Sequence, residues 1–231
     1  MKNISLYSFY LLTSFVFCQS TSLLENIDDI KYREDQFYIG LSYNFLENKP
    51  SGMSQQGLSG GFHLGFIRDF PINKRRNVAF GVGLGYSTNS YNHNLFIKEE
   101  SNIVSYKILN NNEQSFSKNK LNLHVIEFPL QFRWRTSVMN SYKFWRVYTG
   151  IKFGYIVNSV VKYDGVLGDF KQNNTPDLNR FITYADISFG WNTWNFYISY
   201  GLNDLFSDQA FVDSRPIDVS EIKFGLMFYL F

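Results

Sequence analysis

The chain has 231 residues, 45% apolar and 19% aromatic, with 22 Lys plus Arg against 20 Asp plus Glu, three His and one Cys. The balanced charge excludes a basic footprint for nucleic acid, and the single cysteine excludes a disulfide framework or a cysteine metal site. Beyond the N-terminus no run of about 18 apolar residues occurs, so a membrane-spanning helix is not expected.

The first 18 residues read as a targeting segment. Lys2 supplies the positive start, and Ile4 to Phe17 is an apolar stretch broken only by Ser and Thr. That is too short for a stable span and fits a secretory signal peptide. Cleavage after Cys18 leaves Gln19 as the new N-terminus; the alternative is a lipoprotein signal with Cys18 lipidated, for which Phe17 is the wrong neighbour. Residues 19–35 form a short periplasmic segment, either a linker or a short amphipathic helix using Leu24, Ile27 and Ile30.

From Gln36 to Phe231 the pattern has period two. Phe37, Ile39, Leu41, Tyr43 and Phe45 share one face of the first segment, and Gln36, Tyr38, Gly40, Ser42 and Asn44 share the other. The alternation recurs from Leu58, Val78, Ile126, Trp145, Phe181, Trp194 and Ile222, giving eight strands of the length a tilted membrane strand needs. Either a soluble barrel with an apolar interior or a membrane barrel with an apolar exterior fits such alternation. The glycines decide. Gly40, Gly61, Gly65, Gly81, Gly83, Gly85, Gly150, Gly154, Gly190, Gly201 and Gly225 all fall on the non-aromatic face. A crowded small-barrel lumen needs small residues beside large charged ones, so the aromatic face meets lipid. The fold expected is all-β: an eight-stranded antiparallel up-and-down transmembrane β-barrel over 36–231.

The four tryptophans, Trp134, Trp145, Trp191 and Trp194, lie on the outward face at one end of their strands. They predict a girdle at one membrane–water interface. The connections at that end are short and those at the other long, which puts the tryptophan end and both chain termini in the periplasm. Phe231 closes a last amphipathic strand, as outer-membrane assembly signals do. Pro129 interrupts the fourth strand, and a local bulge is expected there.

The order of elements resembles the PorT-type outer-membrane β-barrel family of the Bacteroidetes. The resemblance is carried by Phe37-Tyr38-Ile39-Gly40-Leu41, Gly65-Phe66-Ile67-Arg68-Asp69-Phe70-Pro71, Glu127-Phe128-Pro129-Leu130, the Gly-rich third strand and Tyr148 to Tyr155. It implies an integral outer-membrane barrel and an accessory role in type IX protein secretion.

No phosphate loop, nucleophile elbow or zinc helix motif occurs, so no catalytic residue, metal or cofactor is expected. His93 reads as a solvated loop residue and His63 as part of a lumen network near Asp69. His124 with Ser117 nearby is a weak basis for an acyl hydrolase, since no oxyanion donor or third group is identifiable. The lumen charges Glu127, Arg133, Arg135, Arg146, Lys152, Asp186, Glu221 and Lys223 predict a filled interior with no pore; a water-threaded conduit is the alternative. Two segments are candidates for partner contact. Lys74-Arg75-Arg76 is a basic cluster in the first periplasmic turn. In the outer loop between 89 and 120, Ile103, Val104, Tyr106, Ile108 and Leu109 read as a ribbon, apolar enough to dock a partner or to pack on itself. Outer-membrane lipid and other outer-membrane or periplasmic proteins of a secretion or assembly complex are the expected partners. The function classes are a non-enzymatic accessory or scaffold barrel, a surface-binding barrel, and a lipid-modifying enzyme.

Overall fold

The computed structural model describes residues 35–101, 103–110, 115–136 and 144–230. The signal peptide at 1–18 and nearly all of the 19–35 segment lie outside the described residues. The first strands are β1 (Gln36–Glu47), β2 (Gly60–Pro71), β3 (Val78–Asn92), β4 (Leu95–Glu100) and β5 (Ile103–Ile108). The longest follow, β6 (Phe116–Arg135) and β7 (Trp145–Gly165), then β8 (Phe170–Asn173), β9 (Phe181–Trp191) and β10 (Trp194–Gly201). The chain ends with β11 (Phe211–Val212), β12 (Arg215–Pro216) and β13 (Ser220–Leu230).

The main sheet runs β6-β3-β2-β1-β13-β10-β9-β7-β8, and β6 also pairs with β7. That pairing closes a barrel of β1, β2, β3, β6, β7, β9, β10 and β13, all antiparallel, with β8 as a short extension of β7. The eight strands are those the alternation marks, and burial follows the predicted parity. In β1, Gln36, Tyr38, Gly40 and Asn44 are buried while Phe37, Ile39, Leu41 and Phe45 are exposed. A closed barrel leaves no edge for backbone groups to go unpaired in hydrocarbon.

Several glycines are required by close approach. A Cβ on Gly150 would land on the Leu130 carbonyl, and one on Gly225 on the Leu41 carbonyl, both main-chain atoms that cannot rotate away. Pro129 does not produce the bulge expected of it. The β3–β6 ladder keeps one register on both sides of Pro129 and omits the pairs between Val82↔Leu130 and Gly85↔Glu127. Gly83, opposite, has no side chain to crowd the ring, so the missing N–H is accommodated without an inserted residue. The irregularities of this strand lie at Phe116/Lys118 and His124/Val125, where its register with β7 shifts.

Beyond the shift at His124/Val125 the two faces exchange character. On β6 the lower outward residues are Trp134, Phe132, Leu130, Phe128 and Ile126, but the upper ones are His124, Asn122, Lys120 and Lys118. The inward residues change from Arg135, Arg133, Gln131 and Glu127 to Val125, Leu123 and Leu121. A single strand therefore begins as a membrane strand and ends as a strand of a water-soluble barrel. The sequence pattern of outward aromatics sees only the first part, which is why the fourth strand was expected to begin at Ile126. From Trp134 to Ile126 the apolar face rises roughly 20 Å after allowing for strand tilt, close to the band a bacterial outer membrane requires.

Gly150→Ala is expected to prevent barrel assembly, since overpacking costs about 1–3 kcal/mol even where side chains can shift. Gly60→Ala is expected to be tolerated, because its nearest neighbour, the Ser42 carbonyl, would lie 3.5 Å from the new carbon. Heat-modifiable mobility on a gel distinguishes folded from unfolded barrel for both.

Candidate functional site

The lumen is filled by ionic side chains contributed in alternation by the strands. At the end that carries the tryptophan rim, Asp69 on β2 sits between two arginines of β6. Arg133 Nη1 donates to Asp69 Oδ1 at 2.9 Å, and Arg135 donates to Oδ1 at 3.0 Å and to Oδ2 at 2.7 Å. Gln36 accepts a further bond from Arg133, and the Tyr148 ring lies 4.1 Å below its guanidinium. Arg133, Arg135 and Asp69 are all fully buried. Midway, Lys152 reaches Glu127 at 3.5 Å and Asp186 at 3.4 Å, and His63 Nδ1 lies 3.4 Å from Glu127. His63 thus joins Glu127 and Ser42, while Asp69, its expected neighbour, is taken by the arginines. Higher up, Glu221 accepts from the hydroxyls of Tyr91 and Tyr184, and Lys223 lies 3.6 Å from it.

This is the arrangement that makes a buried charge tolerable: each carboxylate meets at least one cation or hydroxyl. It also occupies the space. The cavity left among Tyr38, Glu127, Lys152, Asp186 and Tyr197 is about 20 Å³, room for a single ordered water.

Above the ionic layers the barrel is stoppered by an apolar core. Tyr91, Leu121, Leu123, Val125, Ile156 and Val161 point inward from the strand extensions. Leu95 and Ile97 of β4 and Leu178, Leu205, Phe206, Ile217 and Val219 of the later loops pack onto them. Asn94 pins the ribbon's base: it accepts from the Ser54 N–H at 2.7 Å and donates to the carbonyls of Gly52 and Leu109. Tyr106 donates to Asp177 Oδ2 at 2.9 Å, tying the ribbon to the next loop.

This cap changes the reading of the ribbon. Val104, Tyr106 and Ile108 are half-buried against the core, and Leu109 is buried beside Phe96 and Tyr163. Of the five ribbon residues expected to meet a partner, only Ile103, on the opposite face and 72% exposed, remains free to do so. Self-packing wins because the ribbon's alternation matches an apolar opening it can close. His93 is a second correction. It is buried, not solvated, and burial lowers its pKa to about 4.

The four tryptophans line one rim, with Trp145 and Trp191 rings 5.3 Å apart and Trp194 5.0 Å from Phe228. In the basic turn, Lys74 and Arg75 are exposed. Arg76 has φ 56°, and its carbonyl accepts from Arg135 at 3.0 Å, so its backbone links the turn to the lumen network. His124 Nδ1 lies 2.6 Å from the Tyr86 hydroxyl, whereas Ser117 donates to the Asp164 carbonyl. The structure does not bring the Ser and His together.

A closed barrel with an aromatic exterior, an ionic interior and one tryptophan rim defines an integral outer-membrane β-barrel protein. In sequence, residues 17–207 match the family described as the outer membrane protein beta-barrel domain, and the chain belongs to that family. Among solved structures it is similar to Ail, the attachment invasion locus protein of Yersinia pestis, at 14% identity and a TM-score of 0.36, over 84% of this chain and 96% of Ail. The complex of Ail with the heparin analogue sucrose octasulfate gives 14% identity and a TM-score of 0.37, over 85% and 97%. These overlays are loose, and the barrel assignment rests on the strand register and the family match. No curated protein matches significantly in sequence.

Two outcomes follow from the site. Asp69→Ala leaves two buried guanidinium groups facing each other without their shared carboxylate. It is expected to lower stability by about 3–5 kcal/mol in urea unfolding from lipid vesicles. For His93, the folded state binds its proton only near pH 4, whereas the unfolded chain binds it near pH 6.5. The contribution of neutral, buried His93 to stability is therefore fully present above about pH 6.5 and falls by about 3 kcal/mol as the pH drops toward 4. Hydrogen exchange at residues 93–97 is expected to accelerate across that window, and His93→Gln to flatten the response.

Proposed function

We propose that this protein is a non-enzymatic scaffold in the outer membrane, an accessory subunit of an outer-membrane machine. The carrying observation is the double seal: ionic layers fill the lumen and an apolar cap closes its outer end, so what the barrel offers is its surfaces. The PorT-type resemblance directs the reading to type IX protein secretion, with the chain exported through a cleaved signal peptide at 1–18. Lys74 and Arg75 supply an exposed basic contact on the periplasmic side. On the outer side the exposed apolar side chains include Leu58, Ile103, Val166, Leu167 and Phe211, and β11 lies against β5. Such residues gain roughly 25 cal/mol per Å² when a partner covers them, whereas the lipid face already has a good solvent.

The separation of Ser117 from His124 supports a role without acyl-transfer chemistry. A second reading, a barrel that binds ligands or partners at the cell surface, is favoured by the same exposed residues on the cap.

Deleting the gene is expected to abolish or strongly reduce export of secreted cargo, and Lys74→Glu with Arg75→Glu to reproduce part of that loss with the barrel folded. Normal export from the deletion strain together with lost surface binding would favour the second reading. An altered lipid A or phospholipid profile would point instead to an enzyme.

A further inference from the structure

On the outer wall of the strand extensions, three lysines stand in one cross-strand row. Lys120 on β6 is directly opposite Lys162 on β7, and Lys162 is directly opposite Lys171 on β8. Lys118, two residues along β6, shares their face and opposes Asp164. Directly opposed side chains in a ladder have Cβ atoms about 5 Å apart, and like charges there are destabilising. The neighbouring inward residues, Asn119, Leu121, Val161 and Tyr163, are buried, so the lysines cannot turn inside. Among the described residues, none of the four lysines makes an ion pair within 4.0 Å. The nearby Asp169 is engaged by the Gly165 N–H at 3.2 Å.

Lys118, Lys162 and Lys171 line a concavity of about 340 Å³ together with Asp164, Asp169 and Phe170. The height of the row is set by the strand. Lys120 lies six residues beyond Ile126, the last outward apolar residue of β6. At 3.3 Å per residue and a tilt of about 40°, that is about 15 Å above the apolar band. The row faces sideways, along the membrane surface, at the level of large polar headgroups.

We propose that this lysine row is a binding site for the phosphorylated headgroup of an outer-leaflet glycolipid. The occupant follows from charge and place. Four closely spaced lysines outnumber the two carboxylates beside them, Asp164 and Asp169, and the excess positive charge favours a polyanion. A lateral position about 15 Å above the apolar band puts them against the outer sugars and phosphates of a large lipid headgroup rather than against a partner on the summit of the cap. Bound phosphate would accept from two or three ammonium groups at once and remove the cross-strand repulsion, so the site also stiffens the junction of β6, β7 and β8.

The test uses the full-length barrel in mild detergent, with the glycolipid retained after washing measured by mass spectrometry. The probes are a bisphosphorylated lipopolysaccharide core glycolipid, its enzymatically dephosphorylated form, and a soluble sulfated oligosaccharide as competitor. The phosphorylated form is expected to be retained roughly 25-fold more than the dephosphorylated form, since each lysine at an anionic surface contributes about fivefold and at least two of them meet the phosphate. The preference should shrink as salt is raised. Replacing Lys118, Lys120, Lys162 and Lys171 by Gln should erase it while gel mobility still reports a folded barrel. If that variant does not fold, Lys162→Gln with Lys171→Gln is expected to reduce it severalfold. Equal retention of the two glycolipids by the unaltered protein overturns the proposal. So does undiminished preference in a folded Gln variant, or competition by the soluble oligosaccharide strong enough to displace the glycolipid fully, which would assign the row to a soluble polyanion.

Discussion

The solvent changes partway along the long strands of this barrel, and much of the rest of the structure follows from where it changes. Below His124 the outside of β6 meets hydrocarbon and the inside must hold whatever polar groups the strands carry; above it the outside meets water and the inside must be apolar. Pleating forces each residue to one side or the other, so the exchange is written residue by residue as Ile126 gives way to His124 and Glu127 to Val125. The register shift between β6 and β7 falls at the same level. It adds a residue to β7 near Val157 and Asn158, letting two outward residues follow each other where the lipid surface ends.

Two different cores result. The lower one is ionic and holds the barrel wall together through charges of opposite sign on facing strands; Asp69 alone ties β2 to two positions of β6. The upper one is ordinary hydrophobic packing, closed by the β4–β5 ribbon and the later loops. The ionic core specifies geometry more than it stabilises, because desolvation offsets much of its Coulomb energy. The upper core gains from burial in water, which no part of the lipid-facing wall can do. Among the described residues, no passage can open through a barrel built this way without breaking one core or the other.

The membrane part of the fold was legible in the sequence because parity is local: Phe37 to Phe45 and Trp145 to Tyr155 reveal their faces without knowledge of their neighbours. The lumen charges were legible as a group for the same reason. Their pairing was not. His63 lies six residues from Asp69 in sequence yet meets Glu127, while Asp69 meets arginines 64 and 66 residues away. Pairing depends on shear, which period-two patterns do not reveal. The upper barrel was missed because outward aromatics were the marker, and Leu121, Leu123 and Val125 carry the opposite code. The ribbon residues Val104, Tyr106 and Ile108 looked like a partner surface for the corresponding reason: the apolar opening they cover is assembled from segments far apart in the chain, among them those of Leu46, Tyr91, Leu121, Ile156, Leu178 and Leu205. The lysine row appears only when three strands are set side by side, since 120, 162 and 171 are unremarkable in sequence.

The central claim is that the lumen is closed at both levels, and single-channel recording tests it most directly. Purified protein inserted in a planar bilayer is expected to give no steady conductance above the bare membrane between pH 6 and 8. A stable, porin-sized conductance from the folded monomer would contradict the account, because it would require a water-filled path through the space that Arg133, Lys152, Glu127 and the cap residues occupy here.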